Sequence, residues 1–384
     1  MQTVQPCVTI GSYMWAQDRL PQDEFTLRLD ELHAAMDRHG WPAVLVYGDV
    51  REHAALAYLS NFIPRVRWGM ALLPRSGDAR LLGAMSTRDL PAMRSLTWIA
   101  DVRSGMGPEW EKSFDPWFER FKGEQAIKLG TLGFDIMAPV LRAAARRSLG
   151  ERFLLQRADD ILAMPPRRKR PRELTMLRAS CKLVETAAKT FAESWRASHA
   201  PEIAALDAER AARSLAAQDV RTLVSLDGGR TLVPFQGRFE KCEGPLLGYI
   251  AVKVMGYWAD LFVTVYDGSL TAAAPHAEAA LDAIIVDMRP GVRIDALHAK
   301  AVDALAPYKL HPVLGGSVGH DIGLSLHEGP EFQASADATL VEDGAYALQI
   351  GVADAEAGNV LTSAIVRIAA KGSEVVVRSE PQAR

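Results

Sequence analysis

The sequence predicts an α/β domain followed by an α+β domain, on three observations. At 384 residues the chain exceeds one ordinary core, so two domains are the expectation. Short apolar runs alternate with helix-patterned stretches over the first 157 residues. Beyond a passage rich in proline and arginine, long helical stretches give way to strands spaced as hairpins. The expected divisions are 1–157, a linker at 158–172, and 173–384.

In the first domain, Glu24 to His39 carries apolar residues at helical spacing and ends at Gly40, a C-cap residue. Ala43-Val44-Leu45-Val46-Tyr47 is a strand, closed by the turn signal Gly48-Asp49. Glu52 to Leu59 is helix-like, and Trp68 to Pro74 with Arg80 to Gly83 forms a hairpin. Trp98 to Val102 and Lys128 to Phe134 read as further strands. In the second domain, residues 173 to 198 and Glu202 to Gln218 are helical. Leu223 to Leu226, Pro245 to Val254 and Trp258 to Val265 are strands. Helices follow at His276 to Met288 and Ile294 to Leu305, the first stopped by Pro290-Gly291. The chain returns to strands at Ala345 to Val352, Val360 to Ile368 and Glu374 to Arg378.

Composition narrows the function classes. Hydrophobic residues make up 48% and charged residues 24%, as in globular proteins, and a net charge of −3 with interspersed signs gives no footprint for nucleic acid. The basic run Arg167-Arg168-Lys169-Arg170-Pro171-Arg172 reads as a solvated hinge or helix entry. Cys7, Cys181 and Cys242 are odd in number and widely spaced, which fits a reducing compartment. No apolar run approaches membrane-spanning length, and Met1 to Trp15 lacks the pattern of a signal peptide, so a cytoplasmic location is expected.

Gly315 to Pro330 carries the chemistry. It holds His320 and His327, Glu328 beside the second histidine, and five glycines. Glycines permit tight turns and close approach to a ligand. Histidine titrates near neutrality and binds metals.

Gly319-His320-Asp321-Ile322-Gly323-Leu324 followed by His327-Glu328-Gly329-Pro330 resembles the signature of the pita-bread family, which includes methionine aminopeptidase, aminopeptidase P, prolidase and creatinase. Gly256-Tyr257-Trp258-Ala259-Asp260-Leu261, Arg289-Pro290-Gly291-Val292 and Lys169 to Glu173 with Leu177-Arg178 add to the likeness, which covers Glu24 to Arg378. The resemblance implies a creatinase-like N-terminal α/β domain and a pita-bread C-terminal domain.

Metallopeptidases of that family hold two metal ions with two Asp, one His and two Glu, since several carboxylates are needed to neutralise and bridge two dications. Asp260 and His320 match that pattern. The other three positions fall on Tyr249, Gln349 and Ser363. No carboxylate occurs in Gly244 to Ala259, Ala345 to Ala353 or Asn359 to Ala370, so no shift of register restores the set. The expectation is therefore no metal and no cofactor. Creatinase, a metal-free member, uses a histidine base at a position that here falls on Phe235.

The resemblance then implies His320, oriented by Asp260, with His327 and Glu328 as acid–base groups. Tyr249, Gln349 and Phe235 would line the substrate pocket. In creatinase-like dimers an arginine reaches the substrate carboxylate of the other subunit. Arg65 and Arg67 are the residues implied, alternating on one strand face and suited by their bidentate fork. His276 and His298 read as packing or surface residues, and His311 lies nearer the site. The leading expectation is a homodimeric, metal-independent, creatinase-like hydrolase of a small polar molecule with a C–N bond, with sites near the subunit interface. A lyase in the same fold and a non-catalytic peptidase-like binding protein stay open beside it.

Overall fold

The computed structural model describes residues 14–105, 117–234, 242, 244–266, 268, 270–356 and 358–379. It divides into two compact units, the first running to Pro166 and the second starting at Arg167.

The first unit is built on one mixed sheet in the order β4-β3-β2-β1-β5-β6. The strands are β1 (Ala43–Asp49), β2 (Trp68–Pro74), β3 (Arg80–Gly83), β4 (Asp101–Ser104), β5 (Ile127–Leu132) and β6 (Phe153–Arg157). Helix α1 (Gln22–His39) buries Phe25, Leu32, Ala35 and Met36, and Gly40 closes it with φ 66°. Helices α2 (Ala54–Ser60), α3 (Leu90–Arg94) and α4 (Pro139–Leu149) also belong to the unit. The strand expected at Trp98 to Val102 starts at Asp101 instead. Its first residues are held elsewhere: Thr97 Oγ1 donates to Ser60 O (2.6 Å) and Trp98 Nε1 to Leu59 O (2.9 Å), at the end of α2.

The second unit pairs two antiparallel sheets, β10-β9-β7-β8 and β11-β12-β13-β14. The first holds β7 (Asp219–Ser225), β8 (Val233–Pro234), β9 (Leu246–Val254) and β10 (Tyr257–Val265). The second holds β11 (Gly319–Asp321), β12 (Ala345–Asp354), β13 (Gly358–Ala369) and β14 (Gly372–Arg378). Helix α5 (Pro171–Ser198) opens with proline in its first turn and with Glu173 Oε2 accepting from Arg170 N (2.9 Å). Its apolar stripe, Leu177, Cys181, Val184, Ala188, Phe191 and Trp195, joins α6 (Pro201–Ser214) in a core with β9 and β10. Helix α7 (Ala274–Asp287) covers β12 and β13, and α8 (Ile294–Leu305) packs against α7.

The two sheets are stitched where β10 meets β13. Phe262 N donates to Ser363 Oγ (2.8 Å), Thr264 Oγ1 donates to Leu361 O (2.7 Å), and Leu361 N donates to Thr264 Oγ1 (3.1 Å). Beside that seam Leu247, Phe262 and Leu361 form a small apolar cluster. This cluster is the floor on which the site stands. Among the described residues no helix is long and apolar enough to cross a membrane.

Candidate functional site

Strand register gathers the site. On the first sheet Leu223 pairs with Tyr249, and Tyr249 with Phe262. Asp260 lies two residues before Phe262, so Asp260, Phe262, Tyr249 and Leu223 share one face. On the second sheet His320 pairs with Ala347, and Gln349 with Ser363. Those side chains share the face turned to the first sheet.

Asp260 is the hub. It is 1% exposed. Its Oδ2 accepts from the Tyr249 hydroxyl (2.9 Å) and from Gln349 Nε2 (2.8 Å), and His320 Nε2 stands 3.7 Å away. Oδ1 is buried with no hydrogen-bond partner among the described residues. Burial and the adjacent Asp260 charge push the Tyr249 hydroxyl well above its usual pKa, so it remains a phenol and a donor.

His320 Nδ1 lies 3.1 Å from Asp321 O, which places the proton on that nitrogen. Its Nε2 is 3.3 Å from Gln349 Nε2. Burial alone would lower its pKa, but the Asp260 carboxylate outweighs burial and raises it. Taking that second proton requires the Gln349 amide to yield its contact with Nε2. His327 stacks on His320 with ring centroids 3.7 Å apart and planes at 17°. Its Nδ1 faces Glu331 Oε1 at 3.4 Å, and its side chain is half exposed. Burial and then the neighbouring His320 lower its pKa. Two stacked imidazoles thus carry separate carboxylates and opposite tendencies.

A cavity of about 390 Å³ opens onto this pair. Its polar lining includes His320, His327, Glu331, Gln349 and Tyr249. Leu223, Leu232, Phe262, Val313 and Leu314 form the apolar wall. His311 holds the lip of that wall: Nε2 pairs with Gly229 O (2.6 Å), while Nδ1 accepts from Val313 N (3.2 Å) and caps the 3₁₀ turn Pro312–Leu314. Sequence reading placed His311 near the site, from its position shortly before the glycine-rich segment, without giving it a role.

Other expected residues lie differently. Glu328 does not line the cavity; its carboxylate pairs with buried Lys169 and accepts from Leu324 N and Ser325 N. Arg65 and Arg67 belong to the first unit and sit in the bend before β2, where Arg67 has φ 60°. The expected alternation on a strand face is therefore wrong, because the strand starts only at Trp68. Phe235 lies outside the described residues. His276 packs edge-on against Tyr308, and His298 bonds Gly316 O at 3.0 Å. Sequence reasoning missed Glu331, whose carboxylate reaches back four residues to His327.

The model of metallopeptidase family M24 matches residues 176–377. The chain belongs to metallopeptidase family M24. The fold of this M24 member is similar to that of X-Pro aminopeptidase from Thermotoga maritima MSB8, with TM-score 0.76 and 17% identity, over 92% of this chain and 99% of that one. It is also similar to a prolidase from Pyrococcus horikoshii OT3, with TM-score 0.73 and 17% identity, over 93% and 99%. Dipeptidase PepE from Mycobacterium ulcerans gives TM-score 0.70 and 19% identity, over 94% and 98%. Among curated proteins no sequence matches.

These findings overturn the expected creatinase-like hydrolysis of a non-peptide C–N bond. The matching family is one of peptidases, and the similar solved structures are a prolidase, an X-Pro aminopeptidase and a dipeptidase. Sequence reading erred by inferring substrate from the lost ligands, which report on the metal and not on the bond cleaved.

The family name implies a pair of metal ions, and the described residues do not supply their ligands. Asp260 is the one carboxylate of the matched positions, and one of its oxygens already accepts two protein hydrogen bonds. Ser363 Oγ is engaged by Phe262 N and Ser379 Oγ. Among the described residues no group of three His, Cys, Asp or Glu converges as metal ligands would. This donor set does not fit two dications.

Proposed function

We propose that this M24 member hydrolyses the amide bond of a dipeptide-sized substrate in the cavity beside His320 and His327, using its own side chains as acid and base. The observation that carries the reading is the stacked histidine pair, each ring beside its own carboxylate, at the head of a half-apolar cavity. Family membership supports the bond type. The cavity lies at the small end of ligand pockets, about 300–1,000 Å³, and its apolar wall suits a proline ring or an aliphatic side chain.

His327, at the exposed mouth beside Glu331, takes a proton from the attacking water. The water oxygen bonds to the amide carbon. His320, buried beside Asp260, supplies the proton that the departing amine nitrogen needs as the C–N bond breaks. The His327 proton returns through solvent, and His320 is reprotonated. Tyr249 and Gln349 hold the Asp260 carboxylate in place for this exchange. The opposite pKa tendencies of the two rings agree with these roles. The protein works in the cytoplasm as a homodimer, and Arg65 or Arg67 of one subunit pairs with the substrate carboxylate of the other.

A panel of dipeptides, including Xaa-Pro forms, incubated with the protein and resolved by chromatography tests this reading. Release of free amino acids is expected, with His320→Ala and His327→Ala each losing about 10²–10⁴-fold in kcat. Turnover unaffected by both substitutions would overturn it.

A further inference from the structure

The basic run ahead of α5 was expected to be solvated. Two of its members are not. Lys169 is 4% exposed and pairs with Glu328; Arg167 Nε donates to Asp321 Oδ2 at 2.7 Å. Each carboxylate directly follows one of the stacked histidines, Asp321 after His320 and Glu328 after His327. The two cations stand two residues apart on the segment entering α5.

We propose that Arg167 and Lys169 are positioning residues that clasp the two ends of the 320–328 loop and thereby hold His327 stacked on His320. The inference rests on the hydrolytic reading for its kinetic consequence, but its structural content stands apart from it.

The loop is closed from several sides. Glu328 N donates to Asp321 O (3.1 Å), and Glu331 bridges His320 through the backbone. Gly323 and Gly329 permit the carboxylates to come in: a Cβ on Gly323 would stand 2.5 Å from Glu328 Oε2, and one on Gly329 would stand 2.6 Å from Asp321 Oδ2. The cations are themselves anchored. Arg167 also donates to Thr339 O (3.0 Å) and the Tyr346 hydroxyl (3.2 Å). Lys169 N donates to Asp343 O (3.1 Å), and Tyr257 fixes Glu173 through a 3.1 Å bond. Facing Lys169 are Glu328, Glu173 and Asp321, whose charges keep it protonated against burial. A surface hinge needs none of this. Buried charge pairs are costly to form unless their geometry is well fixed, and removing one partner leaves an uncompensated buried charge.

Fixing the rings matters because misplacement by about 1 Å in a catalytic constellation costs on the order of a hundredfold in rate. The full-length protein is tested as Lys169→Met, Glu328→Gln, Arg167→Gln and the conservative Lys169→Arg. Glu328→Gln keeps an oxygen for the Leu324 and Ser325 amides, so the loop backbone retains its acceptor while losing the charge pair. Proton NMR of the histidine rings reads the stack directly, through the upfield shift that one ring induces in the other. The shift is expected in the wild type, lost in Lys169→Met and Glu328→Gln, and restored in Lys169→Arg. On a cleaved dipeptide, kcat is expected to fall by about a hundredfold with KM little changed. If no dipeptide is cleaved but the ring shift still vanishes in the variants, the clasp stands and the hydrolytic reading falls. If folded Glu328→Gln and Arg167→Gln proteins both retain the ring shift, the clasp is overturned.

Discussion

At Tyr249 a phenol stands where a two-metal site would need a carboxylate, and it turns Asp260 from a metal ligand into a hydrogen-bond acceptor. Tyr249→Phe leaves Asp260 Oδ2 with Gln349 as its remaining close donor. A buried carboxylate that loses a donor costs about 1–3 kcal/mol, which urea unfolding at neutral pH reads as a lower midpoint. His311 gives a pH-dependent case. Its Nδ1 must stay unprotonated to accept from Val313 N, and burial lowers its pKa below the usual 6.5. The unfolded chain therefore binds a proton that the folded chain refuses. The His311 contribution is full above pH 6.5 and is lost as pH falls through the window below it. His311→Gln is expected to flatten the dependence of the unfolding midpoint between pH 7.5 and pH 5; an unchanged slope contradicts the assignment.

At the scale of elements, the seam between α5, β13 and β14 carries the clearest acid sensitivity. Glu374 on β14 meets Arg178 of α5 at 2.6 and 2.8 Å and Arg367 of β13 at 3.2 Å. Those guanidinium hydrogen bonds hold its pKa down, from 4.5 to about 2. A depressed carboxylate stabilises the fold above its unfolded pKa, and the contribution is lost as pH falls from about 4.5 toward 2. Glu374→Gln is expected to shift acid unfolding to higher pH and to make it less steep, followed by circular dichroism; solvent screening keeps the effect modest. The long elements were legible because their signals are local: α5 has a 3.6-residue apolar stripe, and β9 and β10 read as continuous apolar runs. Strand β11 was not legible. It is three residues long, starts at a glycine, and forms through pairing with β12 and a backbone bridge to Glu331. The Lys169–Glu328 pair was hidden for the same reason, since a charge run shows no partner 159 residues away.

For the whole molecule, the family was readable from the order of four motifs, and the chain's membership of M24 agrees with it. The substrate class was not readable, because the residues that name the metal are separate from those that choose the bond. Restoring the family's ligand set is a direct check on the donor argument. Tyr249→Asp, Gln349→Glu and Ser363→Glu together are expected to raise Mn²⁺ or Co²⁺ affinity well above that of the unaltered protein, read by calorimetry. Equal affinity in the two proteins contradicts the claim that these three positions decide metal binding.

Hydrolysis by the histidine pair has to proceed without a bound metal. The most direct measurement is dipeptide turnover by chelator-treated protein, followed by chromatography of the released amino acids, in parallel with the His320→Ala and His327→Ala proteins. Turnover is expected to survive the chelator and to be lost in both variants. Turnover that appears only after a divalent metal is added back would contradict this.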